Sequence, residues 1–172
     1  MNKGRLEAFS DAVIAILMTI MVLELKVPHG ADWAALRPML PVFLAYLLSF
    51  AFLAIYWNNH HHMLHAAERI NGKVLWANQH LLFWLSLVPF GTAWVGENHN
   101  ASLPTAAYGV VLLLAGVGYT MLQGTIIEAA GEQSKLALAV RKDLKGKLSL
   151  LLYAVAIPVA FARPWVSDAL YV

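Results

Sequence analysis

The stretch "RLEAFSDAVIAILMTIMVLEL", Arg5 to Leu25, decides how the rest of the chain is read. It is long and apolar enough for a membrane helix, yet its first seven residues include an arginine, a glutamate, a serine and an aspartate. After Asp11 no charge follows until Glu24. Polar groups inside a membrane segment are costly and are usually functional. The question is what Arg5, Ser10 and Asp11 do at the head of such a helix.

The surrounding composition fixes the environment. Of 172 residues, 60% are hydrophobic and 13% charged, too little polar surface for a soluble domain of this size. There is no cysteine, which excludes disulfides and thiolate-held metals. Glu24, Lys26 and Pro28 follow the first apolar run where a cleaved signal peptide would carry small residues. A net charge of +2 is too small to suggest nucleic acid as a partner.

The sequence predicts an all-α polytopic membrane helix bundle, one transmembrane domain filling residues 1–172. A span needs about 20 residues, and five apolar runs meet that plan, at about 6–27, 39–62, 74–96, 101–128 and 147–163. Pro89 should bend the third run. Residues 164–172 read as the first two turns of a sixth helix that stops with the chain. With the N-terminus inside, nine basic residues lie in inner segments (Lys3, Arg5, Arg69, Lys73, Lys135, Arg141, Lys142, Lys145, Lys147) and three in outer ones (Lys26, Arg37, Arg163). That asymmetry predicts a cytoplasmic N-terminus. The Glu128 to Lys147 loop alternates charge with leucines and valine and reads as an inner amphipathic extension.

On the first helix, at about 100° per residue, Phe9, Ala12, Ile16, Ile20 and Leu23 fall on one stripe. Arg5 lies below it and Thr19 beside it, while Ser10 and Asp11 point away toward whatever packs behind. Spacing alone leaves two readings open. One is a plain bundle helix with Asp11 paired to Arg5 or to a neighbouring helix. The other is a face that lines something.

Arg5, Phe9, Ser10 and Asp11 spell R-x-x-x-F-S-D at the start of the first membrane helix. This resembles the signature of the transmembrane-protein-175 potassium channels, an endosomal and lysosomal family with bacterial relatives. The likeness continues through "DAVIAILMTIMVLEL" and into "YWNNHHHMLH" at the end of the second helix, and the six-helix plan is similar along the chain. The resemblance implies a moderately potassium-selective channel, not an enzyme, whose pore is lined by the first helix of each subunit. The constriction it implies falls on Ile16, Ile20 and Leu23, with Thr19 beside the first. The motif residues Arg5, Phe9, Ser10 and Asp11 then hold the inner end of the pore helix, with Trp57 and His61 as expected partners. One such motif per chain implies a homotetramer in a bacterial inner or plasma membrane, with potassium as permeant ion and no resident cofactor or metal.

Three other features remain. His60, His61, His62 and His65 cluster at the inner end of the second helix, and His61 and His65 lie one turn apart. A hydrogen-bonding role beside F-S-D, pH sensing and metal ligation are the alternatives, with His80 a conceivable second haem ligand. Gly109, Gly116, Thr120 and Gly124 suggest close packing of the fourth helix. Trp33, Trp94, Trp165 and Tyr171 read as outer interface anchors. The rival functions are a secondary transporter, for which inverted repeats and broken midplane helices would be expected, and a histidine-ligated haem or metal protein.

Overall fold

A computed structural model of the chain describes residues 2–131, 134–140 and 144–171, and the described residues are helical with short connections. Arg141, Lys142 and Val172, which entered the readings above, lie outside them. Four stretches are long and apolar enough to cross a membrane: Lys3–Glu24, Trp33–Ala66, Ser102–Ala130 and Leu144–Ala162.

The first helix, α1 (Lys3–Ile20), starts at Asn2, whose side chain accepts from the Gly4 N–H at 3.1 Å. It tightens into a 3-10 turn over Met21–Glu24 and leaves the helical region at Leu25. Pro28 disfavours helical backbone at Val27, so the chain cannot resume the helix there. Next comes the short α2 (Trp33–Leu36), capped by Asp32. The following α3 (Leu40–Ala66) carries Pro41 in its first turn, where the missing N–H costs nothing, and it extends far enough to include all four clustered histidines.

Pro89 does more than bend the third apolar run. The run is two helices, α4 (Gly72–Ser86) and α5 (Val88–Glu97), interrupted at Leu87. Proline has no N–H for the carbonyl four residues back and its ring crowds that carbonyl, so the ladder breaks just before it. The continuous run is α6 (Ser102–Ala130), 29 residues or about 43 Å. It ends at Gly131, whose φ of 94° suits glycine alone. Beyond it lie α7 (Lys135–Val140), α8 (Leu144–Ala162) with Pro158 inside, and α9 (Pro164–Leu170), the start of the expected sixth helix. Within the inner loop Leu136 packs on the core, whereas Leu138 is exposed.

The core joins Leu6, Ile14, Leu17 and Met21 of the N-terminal segment to Leu53 and Leu64 of α3, Leu81 and Leu85 of α4, and Leu122 and Ile126 of α6. Lipid tails are as apolar as leucine, so inside a bilayer such a core is held by close packing and not by expulsion of water. Close approach therefore matters. A Cβ at Gly118 would sit 3.1 Å from the Leu81 Cα, so this glycine sets the distance between α6 and α4. Of the small residues singled out on this helix, Gly116 faces Leu150 of α8 and Gly109 faces Tyr171. Gly124 faces open space, so it plays no packing role within the protomer.

Tyr171 is a correction. It is 8% exposed and is no interface anchor. Its hydroxyl donates to the Thr105 carbonyl at 3.1 Å, and Ser167 of α9 reaches the Ala156 carbonyl at 2.5 Å. These bonds fasten α9 to α6 and α8. Trp33 and Trp165 are exposed, as an anchor must be. Just beyond the C-terminal end of α1, Lys26 pairs with Glu97 at 2.7 Å, which holds the Glu97 carboxyl below its ordinary range and the lysine above its own.

Candidate pore helix and its anchor

One face of α1 has no cover within the protomer. Phe9 is 46% exposed, Ile16 59% and Ile20 46%, and Leu23, in the following turn, is 75% exposed. Arg5, Ala12 and Thr19 are also exposed. The opposite face, through Leu6, Ser10, Ile14 and Leu17, is buried. So the stripe read from spacing is the open side of the helix along its whole depth. Thr19 adds chemistry to it. Its hydroxyl lies 3.0 Å from the carbonyls of both Ala15 and Ile16, so its hydrogen is directed back to its own helix. The oxygen lone pairs are left toward the open side, as a cation requires.

The motif residues divide by direction. Ser10 is fully buried and accepts from Asn78 Nδ2 of α4 at 3.0 Å. With the Asn78 amide turned to Ser10, its Oδ1 meets His60 Nε2 of α3 at 2.7 Å. An amide oxygen only accepts, so the neutral His60 ring carries its proton on Nε2. Its Nδ1 is buried without a partner. Asp11 accepts from Trp57 Nε1 at 3.0 Å. Below these, Lys3 Nζ reaches the His65 carbonyl at 2.6 Å. Three contacts therefore tie the N-terminal half of α1 to α3 and α4. Polar contacts between membrane helices average only about 0.6 kcal/mol apiece. Orientation rests on the set, not on one bond.

One open alternative is decided and one expectation is corrected. Arg5 makes no ion pair with Asp11 among the described residues; the aspartate's partner is on a neighbouring helix. And His61 does not touch the motif through a hydrogen bond. It stacks on Trp57, with ring centroids 5.9 Å apart, and on His65 at 6.2 Å, forming an exposed ladder behind the Asp11–Trp57 bond. The buried histidine is its neighbour His60. Asn78 was missed, although an asparagine inside "VLWANQHLLFWL" is itself a signal, since a buried amide must be satisfied.

The remaining histidine reading can be placed as well. His80 Nε2 accepts from Trp84 at 3.2 Å on the same helix. Among the described residues no group of three or more histidine or carboxylate side chains could hold a metal ion.

An all-helical bundle with four stretches long and apolar enough to span defines a multi-pass membrane protein, and its first helix is polar-anchored near the N-terminus and bare along an apolar face. Residues 5–89 match the family described as the endosomal/lysosomal potassium channel TMEM175. A potassium channel of Chryseobacterium sp. (strain P1-3) is 51% identical over 171 residues, covering 99% of this chain and 89% of that one. Another, of Chamaesiphon minutus, is 31% identical, covering 96% and 88%. The fold matches the crystal structure of a lysosomal potassium-selective channel TMEM175 homolog from Chamaesiphon minutus, with a TM-score of 0.85 at 30% identity over 98% of this chain and 92% of that one. The chain belongs to the TMEM175 potassium channel family.

Proposed function

We propose that the chain is a potassium channel in which α1 from each of four copies surrounds a central path. Ile16, Ile20 and Leu23 form an apolar neck, with Thr19 beside its first residue. The observation that carries this reading is the bare face of α1, continuous from Phe9 to Leu23. One helix face cannot enclose a path, so copies must close around an axis. An ion passing an apolar neck sheds part of its water. Potassium, the more weakly hydrated cation, loses less than sodium, and the neck also closes by dewetting. Selectivity by this route is moderate. Inward orientation of the N-terminus follows from the basic residues in the inner segments.

Purified protein in a planar bilayer under a potassium–sodium gradient is expected to give unitary current steps reversing toward the potassium potential. Transport turnover is too slow to register as unitary steps. Their absence in correctly folded, assembled protein, or equal permeability of the two cations, overturns the reading.

A further inference from the structure

A second feature involves no residue of α1. A groove of about 950 Å³ runs between α3, α6 and α8, lined on α3 from Pro41 to Asn59. Those 19 positions rise about 27 Å, nearly the thickness of the hydrocarbon core. The groove is at the upper end of the range for small-molecule sites, about 300–1,000 Å³.

Its two ends differ in charge. At one end are Lys145 and Lys147, flanking Gly146 on the first turns of α8; at the other lies Asp168 of α9. Between them the wall is made of Leu44, Leu48, Phe52, Ile55 and Leu150. The hydroxyls of Ser49, Thr92, Tyr108 and Tyr171 in this wall are engaged. Thr92 donates to Ser49 at 2.6 Å, Ser49 and Tyr108 are 2.8 Å apart, and Tyr171 donates to the Thr105 carbonyl. Tyr56 packs its ring on Phe52, with centroids 4.6 Å apart. A hydrocarbon chain laid along this surface strands few polar groups, since those hydroxyls are already satisfied.

We infer that this groove is a binding site for an anionic phospholipid, with its phosphate at the lysine-bearing end, near Lys145 and Lys147, and an acyl chain along Ile55, Phe52 and Leu48. The charge arrangement selects the orientation and the lipid class. A phosphate at the lysine end is attracted, and one at the Asp168 end is repelled. The inference stands on the groove alone and does not depend on the pore reading.

The test is lipid retention by the detergent-solubilised full chain, read by native mass spectrometry with added phosphatidylglycerol or phosphatidylcholine of matched chains. Phosphatidylglycerol is expected to be retained about tenfold more strongly, and the Lys145→Gln, Lys147→Gln double variant to lose that preference. Leu48→Trp, which fills the wall, should weaken both lipids equally and leave the preference intact. Equal retention of the two lipids, or a preference untouched by the double variant, overturns the site. Displacement of phosphatidylglycerol by millimolar inorganic phosphate alone would mean an ion site and not a lipid site. A photo-crosslinker in place of Ile55 provides the second readout. Lipid adducts support the inference; protein–protein adducts in their place would assign the groove to a second copy of the chain. Neither arm uses conductance, so loss of current leaves the result readable.

Discussion

Thr19 and Ile16 carry the most specific chemistry on α1. The threonine hydroxyl, occupied by its own helix, presents acceptors to the open face, and Ile16 sits one turn below it. Replacing Ile16 with asparagine, similar in size but able to hold water, should wet the neck. Sodium gains more than potassium because it had more hydration to lose. We expect larger current and a potassium-to-sodium permeability ratio lowered roughly 5–10-fold, equivalent to about 1–1.4 kcal/mol. Ala15→Ser, next to the stripe, should leave the reversal potential unchanged. If Ile16→Asn, Ile20→Asn and Leu23→Asn all select like the parent, α1 does not line the path. The anchor has its own test. Asp11→Asn keeps an acceptor for Trp57, whereas Asp11→Ala removes it, a loss of about 0.6 kcal/mol for one polar contact between membrane helices. The alanine variant should therefore melt slightly below the parent in detergent, with the asparagine variant close to the parent; an alanine variant that melts with the parent would remove Asp11 from the anchor. Spacing made the stripe readable, because a helix turns by a fixed angle. It could not distinguish His60 from His61, which lie about 100° apart on one helix. Which of the two is buried depends on where α4 supplies Asn78.

Among the helices, sequence periodicity located the spans well but read their junctions and partners less completely. A proline was visible at position 89, yet whether it kinks a helix or divides it depends on the carbonyls it leaves open and what packs there. The small residues on α6 were visible too, but the one that meets a neighbouring backbone is Gly118, outside the four-residue repeat of Gly116, Thr120 and Gly124. Periodicity gives a helix its faces without saying which face a neighbour takes. Two substitutions on the same helix separate these roles. Gly118→Ala gains helix propensity but puts a methyl against the Leu81 backbone, which cannot move aside as a side chain does. Gly124→Ala gains the same propensity, about 0.5–1 kcal/mol, in open space. Thermal unfolding in detergent should show the first lowered and the second unchanged or raised. A lowered melting point for Gly124→Ala with an unaffected Gly118→Ala would reverse the packing assignment.

Across the assembled protein, cyclic symmetry makes the pore reading testable without electrical recording. In a ring of copies, the distance between equivalent residues grows with their distance from the axis. A residue lining the path meets its own copies, and one on the periphery does not, whatever surfaces the subunits use to touch. The chain has no cysteine, so a single introduced thiol reports alone. Leu23, at the outer end of the bare face, and Leu151, exposed on α8, give the contrast. With a short bismaleimide, Leu23→Cys should cross-link protomers in the membrane and Leu151→Cys should not, while native mass spectrometry of both gives a tetramer. The same approach fixes orientation. Ser134→Cys, in the loop after α6, should in the proposed orientation be labelled by an impermeant maleimide from the cytoplasmic side only; labelling from outside would reverse it. Cross-linking at Leu151 but not at Leu23 would put α8 at the axis in place of α1. The bare face with Ile16, Ile20 and Leu23 would then have to be a surface that meets lipid or a neighbouring subunit, and the apolar neck would have no residues left to form it.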